Sequence, residues 1–150
     1  MFRHGAPIVT TSKISSLDRC GHPTGIRSVS LSSDDRLSCT VSKSVAKIWN
    51  VASRKVVQSL PLSALSSSGK GSCYGLCGTF LPGNSHVVVG TREGRLLTID
   101  ISAGEIVDEE NAHDGAIWSL DILQSRSGSS SITLVTGSAD KSVKFCDIES

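Results

Sequence analysis

Thr136-Gly137-Ser138-Ala139-Asp140-Lys141-Ser142-Val143-Lys144-Phe145-Cys146-Asp147 is the stretch whose reading decides the fold. A β-favouring run reaches Gly137, a polar turn centres on Asp140, and a second run closes on Cys146-Asp147. Ser and Asp turn the chain because their side chains bond to their own backbone. The pattern therefore predicts two antiparallel strands joined by a tight turn. Upstream, Ala112-His113-Asp114-Gly115-Ala116-Ile117-Trp118-Ser119 places a histidine just before another strand-like run.

The same order returns twice nearer the N-terminus. Cys20-Gly21-His22 opens one unit, a strand runs through Ile26, Val29 and Leu31, and Ser32-Ser33-Asp34-Asp35 makes a turn. Two further strands, 37–41 and 45–49, end in Trp49-Asn50, and 55–60 makes an outer strand. A second unit begins at Tyr74, turns at Pro82-Gly83-Asn84, and ends in Ile99-Asp100 before an outer strand at 105–108. Ser12-Lys13-Ile14-Ser15-Ser16-Leu17 reads as one more outer strand. The terminal pairs Trp49-Asn50, Ile99-Asp100 and Cys146-Asp147 are spaced 99 − 49 = 50 and 146 − 99 = 47 residues apart. Six residues before them stand Lys43, Glu93 and Asp140; nine before stand Thr40, Gly90 and Gly137.

An opening His, a Ser-x-Asp turn and a closing aromatic-Asp pair resemble a WD repeat, whose period is about 40–45 residues. The Ser/Gly-rich stretches 63–72 and 125–131 account for the longer spacing here and read as mobile loops. The resemblance implies an all-β fold: an incomplete WD40 β-propeller of about three blades, each a four-stranded antiparallel sheet. The units are 21–50, 73–100 and 112–147. Because propellers close with about 4–8 blades, the remaining blades are expected from a longer chain or a partner. In this family a His, a strand Ser or Thr, a turn Asp and a Trp form a buried hydrogen-bond network. Carried onto this chain, it would use His22, Ser28 and Trp49 in the first unit, and His113, Ser119 and Asp140 in the third. Lys43 stands where the first unit should have Asp, and Cys146 where the third should have Trp. The second unit has no opening His and carries Glu93 in its turn.

Composition is that of a globular protein, with 38% hydrophobic residues and a mean hydropathy of +0.03, and no apolar run approaches a membrane span. The N-terminal Met1-Phe2-Arg3-His4-Gly5 has no apolar signal core, so the five cysteines are expected as reduced thiols. Net charge is +1, yet residues 1–72 carry 10 − 3 = +7 and residues 73–150 carry 5 − 11 = −6. Such asymmetry reads first as two neighbouring surfaces of opposite sign, and its sharper reading is a basic face for nucleic acid. Arg19, Arg27, Arg36, Lys43, Arg54 and Lys55 are the basic residues that would face RNA. Aromatics are only 4%, which argues against a base-stacking platform.

No constellation points to catalysis. His113, Ser119 and Asp140 are triad residue types, but Ser119 sits within a strand and no Gly-x-Ser-x-Gly elbow exists. Ser68-Gly69-Lys70-Gly71-Ser72 lacks the spacing of a phosphate loop. Cys73 and Cys77, imaginable with His86 or His113 around zinc, lie in an apolar strand without a second Cys pair and read as buried thiols. Glu109-Glu110 reads as an exposed acidic turn. No cofactor, metal or membrane is expected.

Tyr74-Gly75-Leu76-Cys77, Phe80-Leu81-Pro82-Gly83-Asn84 and the stretches at 112–119 and 136–145 narrow the resemblance to the tandem-propeller WD-repeat subunits of the small-subunit processome. That resemblance implies a non-enzymatic nucleolar scaffold in pre-ribosomal RNA processing, binding processome proteins and lying near snoRNA or pre-rRNA. A generic WD-repeat adaptor, such as a ubiquitin-ligase substrate receptor, is the alternative.

Overall fold

The computed structural model describes residues 21–65, 72–124 and 131–148. The sheets run in chain order. β1 (Ile26–Leu31), β2 (Leu37–Ser42), β3 (Val45–Asn50) and β4 (Lys55–Pro61) form the first. The turn of helix α1 (Leu62–Leu65) follows it. β5 (Gly75–Phe80), β6 (His86–Thr91), β7 (Arg95–Asp100) and β8 (Glu105–Asn111) form the second. β9 (Ile117–Gln124), β10 (Ile132–Ser138) and β11 (Val143–Ile148) form the third. Every pairing is antiparallel between sequence neighbours. The sheets stand side by side as blades, with β1 against β5 and β5 against β9.

The pattern of turns explains the meander. Asp35 and Asn84 take left-handed backbone conformations, with φ of 58° each, in the β1–β2 and β5–β6 turns. Asn and Asp tolerate that region because their short side chains bond locally. The terminal polar residues of the first two repeats have a local purpose as well. Asn50 Oδ1 accepts the Ser53 amide at 2.9 Å, and Asp100 Oδ1 accepts the Ser102 and Ala103 amides at 2.8 and 3.0 Å. Each residue thus caps the turn into the outer strand.

A sheet cannot bury a face alone, so the blades share two cores. Cys39, Val41, Ile48 and Leu60 pack against Val87, Val89, Leu97 and Ile99 between the first two sheets. Cys77, Val88 and Leu96 pack against Ile117 and Leu134 between the second and third. The middle blade is therefore buried on both faces, which is why β6 reads Val-Val-Val rather than alternating. Each such side chain contributes about 1.5–3 kcal/mol of burial. By contrast, β4 and β8 are mainly exposed: β4 buries Leu60 and half-buries Val56 and Gln58, and β8 half-buries Ile106 and Glu109. The far face of the third sheet presents Val143, Phe145 and Leu123 to solvent.

Several expectations change. Glu109 and Glu110 lie within β8, not in a turn, and the half-buried Glu109 carboxylate pairs with Arg95. The strand expected at 105–108 runs to Asn111, because Arg95 gives the acidic stretch a partner across the ladder. Within the expected loop 63–72, the first residues instead complete α1. Residues 66–71 of that loop, most of the second loop (125–130), the strand expected at 12–17 and Arg19 lie outside the described residues.

Register also shifts one alignment. Thr40 pairs with Lys47, Val89 with Leu97 and Thr136 with Lys144. The first inner hairpin is thus one residue shorter (47 − 40 = 7, against 97 − 89 = 8 and 144 − 136 = 8). Thr136, not Gly137, is the counterpart of Thr40.

Candidate functional site

Both histidines reach across their blade to a threonine on the second strand. In the first blade His22 Nε2 lies 2.6 Å from Thr40 Oγ1, which also accepts the Trp49 Nε1 proton at 2.8 Å. His22 Nδ1 meets Ser42 Oγ at 2.7 Å, and that hydroxyl donates to the Val45 carbonyl at 3.2 Å. Because the Ser42 proton is committed to Val45, its oxygen is free to accept from Nδ1–H. That assigns the proton to Nδ1 and leaves Nε2 to accept from Thr40. A single directed chain results, from the Trp49 indole through Thr40, His22 and Ser42 to the Val45 carbonyl.

In the third blade, the buried His113 makes the same contact through Nε2, 2.7 Å from the buried Thr136 Oγ1. Its Nδ1 donates to Asp140 Oδ2 at 2.8 Å. The Ser142 hydroxyl donates to the other carboxylate oxygen at 2.6 Å, and the Ser142 and Asp114 amides add bonds at 2.8 and 3.3 Å. These donors, the Ser142 hydroxyl foremost and His113 next, hold the Asp140 carboxyl well below the usual carboxylate range. Cys146, half-buried, lies where the first blade has Trp49: it pairs with Leu134 as Trp49 pairs with Ser38.

The middle blade replaces this network. Glu93 Oε2 accepts the Tyr74 amide at 3.1 Å, as Asp140 accepts that of Asp114, which puts Cys73 in the histidine position. Buried Arg95 reaches the Cys73 sulfur at 3.1 Å and pairs with Glu109. A charged pair thus stands in for the imidazole.

His22 and Trp49 are brought together through Thr40, which the sequence reading missed, and His113 bonds Asp140 directly. Ser28 and Ser119 are not the hydroxyls involved. Ser28 lies on β1 and its Oγ accepts the Gly78 amide at 3.1 Å, stitching the first blade to the second. Ser119 lies on β9 opposite Gly137. Thr40 and Thr136 take the histidines instead. A two-fold pattern could not have chosen between neighbouring hydroxyl-bearing strands, and a fixed count across the turn fails as well, because the two hairpins differ by one residue (47 − 40 = 7, 144 − 136 = 8).

The basic residues divide between two rims. Arg36 lies in the β1–β2 turn, 3.9 Å from Asp34, and Arg54 and Lys55 lie at the β3–β4 turn on the same rim. Arg27 is the second residue of β1 and Lys43 lies in the β2–β3 turn, at the opposite rim. There they meet Tyr74, which precedes β5, and Arg92 of the β6–β7 turn. Arg27 Cζ, Lys43 Nζ and Arg92 Cζ stand 5.5, 5.4 and 5.4 Å from the Tyr74 ring centroid. Arg27 also donates to the Tyr74 hydroxyl at 2.7 Å. Arg92 and Tyr74 were not anticipated, since both belong to the acidic half of the sequence.

Among the described residues no three His, Cys, Asp or Glu side chains gather in a metal-binding group. Cys73 and Cys77 are buried, and burial pushes the Cys77 thiol up to about 12. A cleft of about 470 Å³ opens between the second and third blades, lined by Val88, Leu96, Leu134 and Cys146 among others.

The family model described as "WD domain, G-beta repeat" matches residues 11–50 and 104–147. The chain is 38% identical over 135 residues to "WD repeat-containing protein 3 homolog" of Dictyostelium discoideum. It is 38% identical over 138 residues to "U3 small nucleolar RNA-associated protein 12" of Saccharomyces cerevisiae, and 35% identical over 129 residues to human "WD repeat-containing protein 3". These alignments cover 90%, 91% and 86% of this chain but only 13%, 13% and 12% of the relatives. Blades of antiparallel meanders, histidines bonded to a second-strand threonine, and the matched repeats place the chain in the WD40 repeat family.

Proposed function

We propose that the chain is a non-enzymatic scaffold segment of a small-subunit processome component, acting in the nucleolus in pre-ribosomal RNA processing and small-subunit biogenesis. The observation that carries this reading is the 38% identity, across 91% of the chain, to a protein named for its association with U3 small nucleolar RNA. Its chemistry is that of presentation rather than turnover. The imidazoles of His22 and His113 are engaged by Thr40, Ser42, Thr136 and Asp140, and these bonds hold blade hairpins in register. Processome proteins are the partners of this reading, with snoRNA or pre-rRNA nearby.

Affinity purification of the tagged chain from cells tests it. Enrichment of U3 RNA, pre-ribosomal RNA and processome proteins is the expected result. Recovery of ubiquitin-ligase subunits without those RNAs would replace it with the adaptor reading.

A further inference from the structure

Tyr74 collects three cations that the blade networks leave unused. Arg27, Lys43 and Arg92 come from three separate segments of two blades, and each lies within 5.5 Å of one ring centroid. By that geometry no two of these cationic centres can be more than about 11 Å apart, close to the Debye length of roughly 8–10 Å in physiological salt. They therefore repel one another. Attraction to the ring offsets that only in part, at about 0.5–1 kcal/mol per exposed cation–π contact.

The ion pairs Arg36–Asp34, His86–Asp100, Arg95–Glu109 and His113–Asp140 leave these three cations aside. Glu93, next to Arg92 in the same turn, accepts the Tyr74 amide. All three cations are exposed and Tyr74 is half-buried, so the rim is open to a ligand. The other rim differs, since Arg36 there sits beside Asp34 and Asp35.

We propose that Arg27, Lys43, Arg92 and Tyr74 form a binding site for the phosphates of single-stranded RNA. The choice of RNA among polyanions rests on the processome reading above. Guanidinium forks match phosphate oxygens in pairs, whereas the Lys43 ammonium acts as a point charge. Spread around one ring, the three cations can engage successive phosphates of one strand, and the partly exposed Tyr74 edge lies beside the bases.

The test is fluorescence anisotropy of the full chain with a labelled oligouridylate of roughly 12 nucleotides, titrated at several salt concentrations. Each neutralised phosphate adds about −0.7 to the slope of log K against log salt for single strands, so three contacts give a slope near −2. The triple substitution Arg27→Gln, Lys43→Gln, Arg92→Gln is expected to abolish that slope and weaken binding at least about tenfold. The same charge change on the opposite rim, Arg36→Gln, Arg54→Gln, Lys55→Gln, should leave both nearly unchanged. Tyr74→Leu keeps the charges but removes the ring that gathers them, so affinity should fall while the salt slope persists. All substituted cations are exposed, and matched circular dichroism spectra verify the fold of each variant.

Equal losses in the two triple variants would reduce the effect to net charge and overturn the site. So would an unaltered slope in the first triple variant. Tighter binding of a phosphoserine peptide than of RNA, at equal phosphate number, would assign the rim to a protein partner and overturn the RNA proposal. Binding is measured on the chain alone, so its failure leaves the scaffold reading to the purification experiment. Conversely, a purification lacking processome proteins does not alter the measured RNA affinity.

Discussion

In the first blade the Trp49 indole donates to Thr40 while His22 Nδ1 finds only the Ser42 hydroxyl at the end of β2; in the third, Asp140 grips His113 but the indole position holds Cys146. Each blade keeps a different end of one hydrogen-bond chain. The retained centre, histidine to threonine, is common to both at 2.6 and 2.7 Å. What the contrast teaches is that the centre sets blade geometry, while the ends set its strength and its response to pH. A neutral hydroxyl satisfies Nδ1–H at little electrostatic gain; a carboxylate bond is charge-assisted and roughly twice as strong.

The largest expected effect cuts the third network at its entry. Gly94, with φ of 83°, accepts the Ala112 and His113 amides at 3.0 Å each, and a Cβ there would meet the His113 carbonyl oxygen at 2.0 Å. Gly94→Ala should destabilise by on the order of 3 kcal/mol in urea titration, through backbone strain and a displaced His113. A loss under about 1 kcal/mol would mean that the third histidine does not depend on this contact.

Next comes the shared centre. Thr136→Val leaves the buried His113 Nε2 without a donor and should cost about 2 kcal/mol, whereas Thr40→Val, beside a half-buried His22 that water can reach, should cost about 1. Equal losses would break the distinction between a dry and a wet centre. Smaller, and of opposite sign, is Cys146→Trp. An indole there has the cleft of about 470 Å³ beside it and the same ladder relation to Thr136 that Trp49 has to Thr40. Thermal melting should show a gain of about 1 kcal/mol. A lower melting temperature would show that the third blade has settled around the thiol.

The pH response should separate the blades most subtly. Burial, and then the Lys47 ammonium, push the His22 imidazole below its ordinary value near 6.5. The unfolded chain then binds the proton first as pH falls. Stability from neutral His22 is fully present above about pH 6.5 and declines between that value and the lower folded one. Asp140 acts further down: its carboxylate contributes above the ordinary value near 3.9 and loses that contribution as pH drops below it. Melting temperatures between pH 7 and 5 should therefore drop slightly in the parent chain and stay flat in His22→Gln.

Much of this comparison was legible in the chain itself. His22, Trp49, His113 and Asp140 stood out through the resemblance to WD repeats, whose pattern they match. The threonines did not, since Ser28, Thr40, Ser119 and Thr136 all sit in strands that alternate equally well. The choice among them depends on ladder register, and a hairpin turn one residue shorter in the first blade moved it. Glu109 misled for a related reason: an acidic residue reads as solvent-exposed unless the Arg95 that pairs with it is known.

By itself the sequence determined the three-unit organisation, the meander of short strands and the residues that open and close each unit, because turn preference and alternation are local properties. Only the tertiary structure decided which hydroxyl meets each histidine, why the middle blade is apolar on both faces, and that Arg92 joins Arg27 and Lys43 around Tyr74. Those facts depend on strand register and on blades packing side by side, contacts between residues dozens of positions apart that no local pattern encodes.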